Sequence, residues 1–488
     1  MYHQYFNIKR ISVFVVVFLL FSCNKLVEIP EPKDTLTTTK VFSTDAQAQS
    51  AMAGLLSTMI NGTAVVSVLP AGFSNGVITY LNGLSADELT VVASGAGKNL
   101  FNTNTLVAGV QDQIWPTAYR SIYDANAIIE GIEASKSPML KQQTRVMLTA
   151  EAKFIRAFSY FYLVNTYGDV PLVLTTDFNK TVNLPRTAVA TVYQQMINDL
   201  TDAANALPAD YAAGGGERIR PNKWAAKALL ARVYLFTGNN VGAIKESTDV
   251  ITQGSLYQLQ MGDLNQVFLK NSPEAIWQLQ QNSENKDFGN ATPEGYYLQP
   301  NSSGAIYTVI STELINAFEP GDLRRSAWTN STVFPAGGNT TYIYPYKYKV
   351  GVNNRIIGAA PSVETKEYYM ALRLAEQYLI RAEAAAINGQ SDPAIDDLNV
   401  IRKRAGLGDL PKTLTRDALL AAVAKERQTE LFVEWGHRWM DLKRTGKASS
   451  VLSAMPLKQP WLGDYQLLYP IPIDEIRKDH FLIQNPKY

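Results

Sequence analysis

The chain is predicted to be mainly helical, a scaffold of paired helix-turn-helix units carrying an irregular, loop-rich region with short strands. Three observations predict it. Segments 229–251 (LLARVYLFTGNNVGAIKESTDVI) and 379–401 (LIRAEAAAINGQSDPAIDDLNVI) share one grammar: a helix with small residues on one face, a Gly/Asn turn, and a second helix opening Ala-Ile and closing Val-Ile. Ala150 to Val164 followed by Val192 to Leu207 reads as a third pair with a longer connection. From about 254 to 365 the helical rhythm breaks into Gly, Asn and Pro interleaved with tyrosines and tryptophans, the composition of loops and short strands.

The elements follow in order. Lys9 and Arg10 precede Ile11 to Phe21, which is apolar except for Ser12. That stretch stops well short of the roughly 20 apolar residues needed to cross a bilayer, so residues 1–22 read as a targeting signal removed on export. Leu20-Phe21-Ser22-Cys23 looks like a bacterial lipobox, which makes Cys23 the lipid-bearing first residue of the mature chain. Cys23 is the only cysteine, so no disulfide framework exists despite an extracytoplasmic destination. Acyl chains anchor at about 0.8 kcal/mol per buried methylene. Residues 23–41, with Pro30, Pro32 and three consecutive threonines, read as a tether, and 42–488 as a single domain. Asp45 is placed to cap a helix running to about Ile60; residues 61–110 are glycine-rich and irregular; a long helix spans about Ile114 to Glu133. Ala231, Ala382 and Ala386 let paired helices approach closely, the logic of tetratricopeptide-like units. After helical order returns near Glu367, residues 425–444 (KERQTELFVEWGHRWMDLKR) read as one helix. Glu426, Glu430 and Glu434 recur along one face, and Leu431, Trp435 and Trp439 form an inward stripe. Arg427 and Arg438 are placed to pair with charges on neighbouring elements, and Pro470 and Pro472 stop any helix there, before a short acidic-to-basic helical turn.

Charge and motif content exclude several functions. Lys+Arg 45 against Asp+Glu 44 leaves no strong counterion-release term, so nucleic acid is not a partner. His437 and His480 are the only histidines beyond the leader, too few for imidazole-rich zinc chemistry. No phosphate-binding loop or G-x-S-x-G elbow is present, and AAGGGERIRP (212–221) reads as a turn before a helix. The three glutamates of 425–444 invite a hydrolase reading, but their regular spacing on one helix beside arginines fits a structural ion-pair network better. Asp87-Glu88 gives no mechanism, because nothing fixes a carboxyl separation there.

The C-terminal words are specific. Glu426-Arg427-x-x-Glu430-Leu431, then Gly436-x-Arg438-Trp439-x-Asp441-Leu442-Lys443-Arg444, then Tyr469-Pro470-Ile471-Pro472 and Gln484-Asn485-Pro486 closely resemble the SusD/RagB family of Bacteroidetes surface lipoproteins. Segments 114–129, 151–174 and 220–235 fit the same family, so the resemblance covers essentially the whole mature chain. Met440 and Lys487 depart from it, since many relatives have Phe and Gly there. The resemblance implies a SusD-like fold and a binding protein without turnover. It also implies an outer-membrane lipid anchor facing the exterior and a SusC-like TonB-dependent transporter as partner, to which captured oligosaccharide passes. Calcium occurs in some members, and no ligand set for it can be placed here.

Oligosaccharide binding needs flat aromatic faces edged by amides and carboxylates. The expected contributors are Tyr80, Asp87, Asn99 and Phe101 from the first irregular region, and Trp277, Tyr296 and Trp328 from the second. Tyr342, Tyr344, Tyr346 and Tyr348 alternate, and in an extended strand form either an exposed platform or the buried face of a small sheet. The competing functions are a helical glycoside hydrolase and a repeat-based protein adaptor.

Overall fold

The computed structural model describes residues 38–62, 72–92, 96–110, 112–334, 339–359 and 362–488. The leader 1–22, Cys23 and the tether as far as residue 37 lie outside the described residues.

The principal helices are α1 (Asp45–Asn61), α2 (Ile78–Ser85), α3 (Ile114–Ala134), α4 (Gln142–Tyr167), α5 (Val189–Ala206), α6 (Lys223–Phe236), α7 (Asn240–Ile251), α8 (Leu374–Ile387), α9 (Ser391–Arg404), α10 (Arg416–Glu430) and α11 (His437–Arg444). From α3 to α9 each packs on the next, and the α7 to α8 step spans the entire irregular region. The repeat grammar is visible in the turns. Gly238 (φ +77°) and Gly389 (φ +76°) both take the left-handed conformation that closes the first helix of a pair, where a side chain would be strained. Ala231, Ala243, Ala384 and Ile380 fill the α6–α7–α8 seam. Across it, Arg232 on α6 donates two 2.6 Å bonds to the carboxylate of Glu376 on α8, both side chains buried. This pair rejoins the scaffold on either side of the insertion.

α1 begins one residue earlier than expected. Thr44 is the cap, its Oγ1 accepting from Gln47 N, while the Asp45 carboxylate accepts from Lys141 N at 2.8 Å and ties the start of α1 to the start of α4.

The irregular region contributes most of three two-stranded antiparallel ladders: β1 (Leu89–Val91) with β3 (Thr308–Ile310), β2 (Ala275–Leu279) with β6 (Tyr369–Arg373), and β4 (Thr329–Phe334) with β5 (Thr340–Pro345). β2 and β6 are buried along their whole length.

Residues 425–444 do not form one helix. α10 ends at Glu430, Val433 (φ 52°), Trp435 (φ 48°) and Gly436 (φ 68°) turn left-handed, and α11 starts at His437. A β-branched residue at positive φ is intrinsically unfavourable. Side chains from elsewhere take the backbone groups that a continuing helix would have paired. Glu88 accepts from Val433 N (3.1 Å), Thr79 Oγ1 accepts from Trp435 N (2.8 Å), and Lys347 Nζ donates to Glu430 O (3.0 Å) and Phe432 O (2.8 Å). Leu431, Trp435 and Trp439 are nevertheless buried, with Trp435 stacked on Tyr369 at 4.9 Å.

The three glutamates meet in a buried ion network even though Glu434 sits in the turn. Glu430 accepts from Arg373 (2.6 Å), Arg324 (3.1 Å) and Arg404. Arg324 also holds Asp322 and Glu426, Arg373 holds Glu434, Arg404 holds Glu274, and Lys347 holds Glu434. Burial alone would raise the Glu430 carboxyl; Arg404, Arg373 and Arg324 instead hold it well below the usual carboxylate range. The network clamps the chain around β2, β5 and β6 to α9 and α10. Its carboxylates are paired with arginines and Lys347 inside the protein.

Candidate functional site

Most aromatic side chains singled out from the sequence turn out to be core. Trp277, on β2, is fully buried with Phe154 and Phe158 edge-on at 5.0 and 5.1 Å. Trp328 is fully buried, its Nε1 donating to Leu264 O at 3.0 Å. Phe101 packs edge-on to Tyr469 at 5.2 Å, and Tyr80 is buried with its hydroxyl 2.5 Å from Thr308 Oγ1. Neither presents a ring face to solvent. Asp87 is buried and spent in a two-pronged pair with Arg438, both bonds 2.7 Å. These five belong to packing because non-local partners cover them, and Asp87 with Glu88 serves to hold the 428–438 segment against α2 and β1.

Asn99 and Tyr296 do reach the surface. Asn99 is exposed on the helix Ala96–Thr103, which packs beside β1. That helix follows the end of the β1–β3 ladder where Val92 N donates to Tyr307 O, and Tyr307 is 51% exposed. Sequence reasoning passed over Tyr307. Its signal was a lone tyrosine between Gly304 and a three-residue apolar strand, too weak to separate from its neighbours.

Tyr296 lies on the short helix Pro293–Leu298, capped by Thr292 Oγ1 accepting from Gly295 N at 3.2 Å. Gly295 lets that helix touch the 350–355 loop, since a Cβ there would meet Val350 O at 2.1 Å. The close approach sets the Arg355 guanidinium 5.0 Å from the centre of the Tyr296 ring, a cation–π distance. Tyr296, Tyr297 and Phe288 form a triangle of edge-on rings at 5.1, 5.2 and 5.6 Å; Phe288 is buried, the two tyrosines half-buried. Burial pushes the Tyr297 hydroxyl upward, so it stays a neutral donor. Ile356 and Ile357 stand exposed beside this cluster.

The tyrosine alternation resolves as the buried face of a small sheet. Tyr344, with Ile306 and Val309, forms a satellite core against which Tyr342, Tyr346 and Val92 pack. β5 ends at Pro345, and Tyr348 turns away into the main core against Phe268 at 5.3 Å. The rings of Tyr342 and Tyr346 stay half-exposed, and the four tyrosines do not make a platform. The insertion therefore offers Tyr296 and Tyr297 beside Arg355, and Tyr307 at the end of the β1–β3 ladder. It suits ring contact and hydroxyl recognition, and among the described residues no group of three or more His, Cys, Asp or Glu side chains is placed to hold a metal.

Comparison with known proteins agrees with this architecture. A family profile described as starch-binding associating with outer membrane matches residues 85–235, and the SusD family profile matches 325–488. SusD-like protein P2 of Formosa agariphila is 27% identical, with 98% of this chain and 99% of that protein aligned. The starch-binding protein SusD of Bacteroides thetaiotaomicron is 34% identical over 24% of this chain and 21% of its own length. Among solved structures, a laminarin binding SusD-like protein superposes with a TM-score of 0.74 at 25% identity, covering 92% of this chain and all of that one. A SusD superfamily protein from Bacteroides vulgatus gives 0.76 at 22% identity with the same coverage. With both halves matched by SusD profiles and the helical scaffold superposing over nearly its full length, the chain belongs to the SusD/RagB family.

Proposed function

We propose that this protein captures oligosaccharide at the cell surface and delivers it to a SusC-like TonB-dependent transporter of the outer membrane, tethered there through acylated Cys23 and residues 23–41. The observation that carries the reading is the tyrosines of the insertion that keep surface, Tyr296 and Tyr297 beside Arg355 and Tyr307 at the end of the β1–β3 ladder, taken together as a tyrosine face on the helical scaffold. Ring faces supply sugar contact at modest entropic cost, and amide and hydroxyl groups orient the sugar. The buried carboxylate network argues for binding without hydrolysis, because each glutamate of the signature is already paired. That relatives include a starch-binding and a laminarin-binding protein supports a glucan as the first ligand to try.

Calorimetric titration of the chain lacking residues 1–23 with neutral oligosaccharides tests the reading. Tyr307→Ala is expected to weaken binding about ten-fold, the scale of one lost ring contact of roughly 1.5 kcal/mol. Binding of peptides in place of any oligosaccharide would overturn it. For the anchor, Cys23→Ser is expected to abolish incorporation of a labelled fatty acid and release the chain from the membrane fraction. Unchanged labelling would place the lipid elsewhere or remove it from the account.

A further inference from the structure

A cleft of about 710 Å³ opens between the C-terminal half of α1, the 213–220 turn and the chain leaving β2, and no aromatic ring is among the described residues that line it. Its polar lining combines the amides of Asn61, Gln280, Gln281 and Asn282 with hydroxyls of Ser57, Ser283 and Thr365, besides Arg220 and Glu284. These groups are held in place. Asn61 Oδ1 accepts from Asn282 N at 2.7 Å, and Asn282 Oδ1 accepts from Glu284 N at 3.0 Å. Gln281 is buried and donates through Nε2 to Asn290 O (2.9 Å) and Glu367 O (2.8 Å), while its buried Oε1 has no hydrogen-bond partner among the described residues. Gln280 donates to Tyr368 OH at 3.0 Å.

Arg220 does not make this an anion site. Its Nε and Nη2 both go to Glu151, whose side chain is wholly buried, so its charge is matched inside the protein. With Glu284 at the rim, the cleft offers no net cationic field. Amides both donate and accept, as does every hydroxyl of a polyol, and a cleft of this volume takes one or two sugar rings.

We propose that this cleft is a second binding site, separate from the tyrosine face, for a neutral mono- or disaccharide recognised by hydrogen bonds alone. It goes beyond capture at the tyrosine face and does not depend on it.

Equilibrium dialysis of labelled cellobiose and maltose against the chain from Cys23 onward, held in detergent, tests it. Ser57→Trp and Ala53→Trp both place an indole over the cleft from exposed positions on α1, and each is expected to lower disaccharide occupancy at least ten-fold with an unchanged thermal melt. Tyr307→Ala is expected to leave that component unchanged. The proposal is overturned if neither tryptophan variant reduces occupancy, if Tyr307→Ala alone removes it, or if glucuronate binds and the neutral sugars do not. Since the two sets of variants lie on different elements, failure here and failure of the tyrosine face read out separately.

Discussion

Glu430→Ala is expected to destabilise the fold by about 3 to 5 kcal/mol, the cost of stripping one partner from a buried ion pair. The reason is convergence. Arg324, Arg373 and Arg404 all converge on this carboxylate, and their side chains are at most 2% exposed. Arg324 keeps Asp322 and Glu426, Arg373 keeps Glu434 and Arg404 keeps Glu274, so removing Glu430 strips three buried guanidinium groups of a shared hydrogen-bonded partner without emptying the cluster. Because these groups come from the end of β6, the helix Leu323–Trp328, α9 and α10, the loss should loosen the irregular region before the scaffold. Amide exchange should therefore rise first in β2 and β6, and urea unfolding should shift by the stated amount. A change under 1 kcal/mol would mean that the network relaxes around the missing carboxylate and does not clamp the two layers.

The stability that Glu294 contributes is expected to fall as pH rises from about 5 to 8, and Glu294→Gln to remove that contribution's fall. Glu294 stands at the foot of the Tyr296 helix, fully buried, its Oε1 accepting from Thr79 Oγ1 (2.6 Å) and Tyr369 OH (2.9 Å). Burial, helped by the charge of Glu434, pushes its carboxyl up to about 8 from an ordinary 4.5. Between those values the folded chain holds a proton that the unfolded chain has released, so protons favour the folded state. The contribution of this group is full below about pH 4.5 and is lost progressively up to pH 8, at about 1.4 kcal/mol per unit. Glutamine has the shape of the neutral acid and keeps the same acceptor, so the variant should match the parent near pH 5 and exceed it by about 3 kcal/mol near pH 7. Burial raises Glu88, Glu367 and Asp112, which titrate in the same direction, and lowers His437, Lys443 and Lys458, which titrate in the opposing one, so the reading is the difference between variant and parent at each pH. Parallel stability-versus-pH curves for parent and variant would show that Glu294 stays ionised in the fold. Since Thr79 also accepts from Trp435 N, the same titration bears on the left-handed turn that separates α10 from α11.

Much of this molecule is written locally. The helical hairpins are legible because their information lies within a few residues: small residues on one face, a glycine where the chain must turn left-handed, as at Gly238 and Gly389, and an apolar period of 3.6. The C-terminal signature and the lone Cys23 are legible for the same reason, and the signature alone carried the family. The regular spacing of Glu426, Glu430 and Glu434 correctly pointed to ion pairing, although it also suggested a helix through 444 that does not form.

What the tertiary structure alone decided is which side chains are covered and where the backbone leaves its local preference. Trp277 and Trp328 have the same composition around them as Tyr296 and Tyr307, yet the first two are sealed by Phe154, Phe158 and Phe268 while the others keep surface. The helix at 431–436 breaks because Glu88, Thr79 and Lys347, each at least 80 residues away in sequence, capture its backbone groups. Burial and hydrogen-bond capture are sums over partners distant along the chain, and no local pattern encodes them. By itself the sequence determined the scaffold and the family; folding decided which rings of the insertion keep surface, Tyr296 and Tyr307 among them, because Trp277 and Trp328 are needed inside.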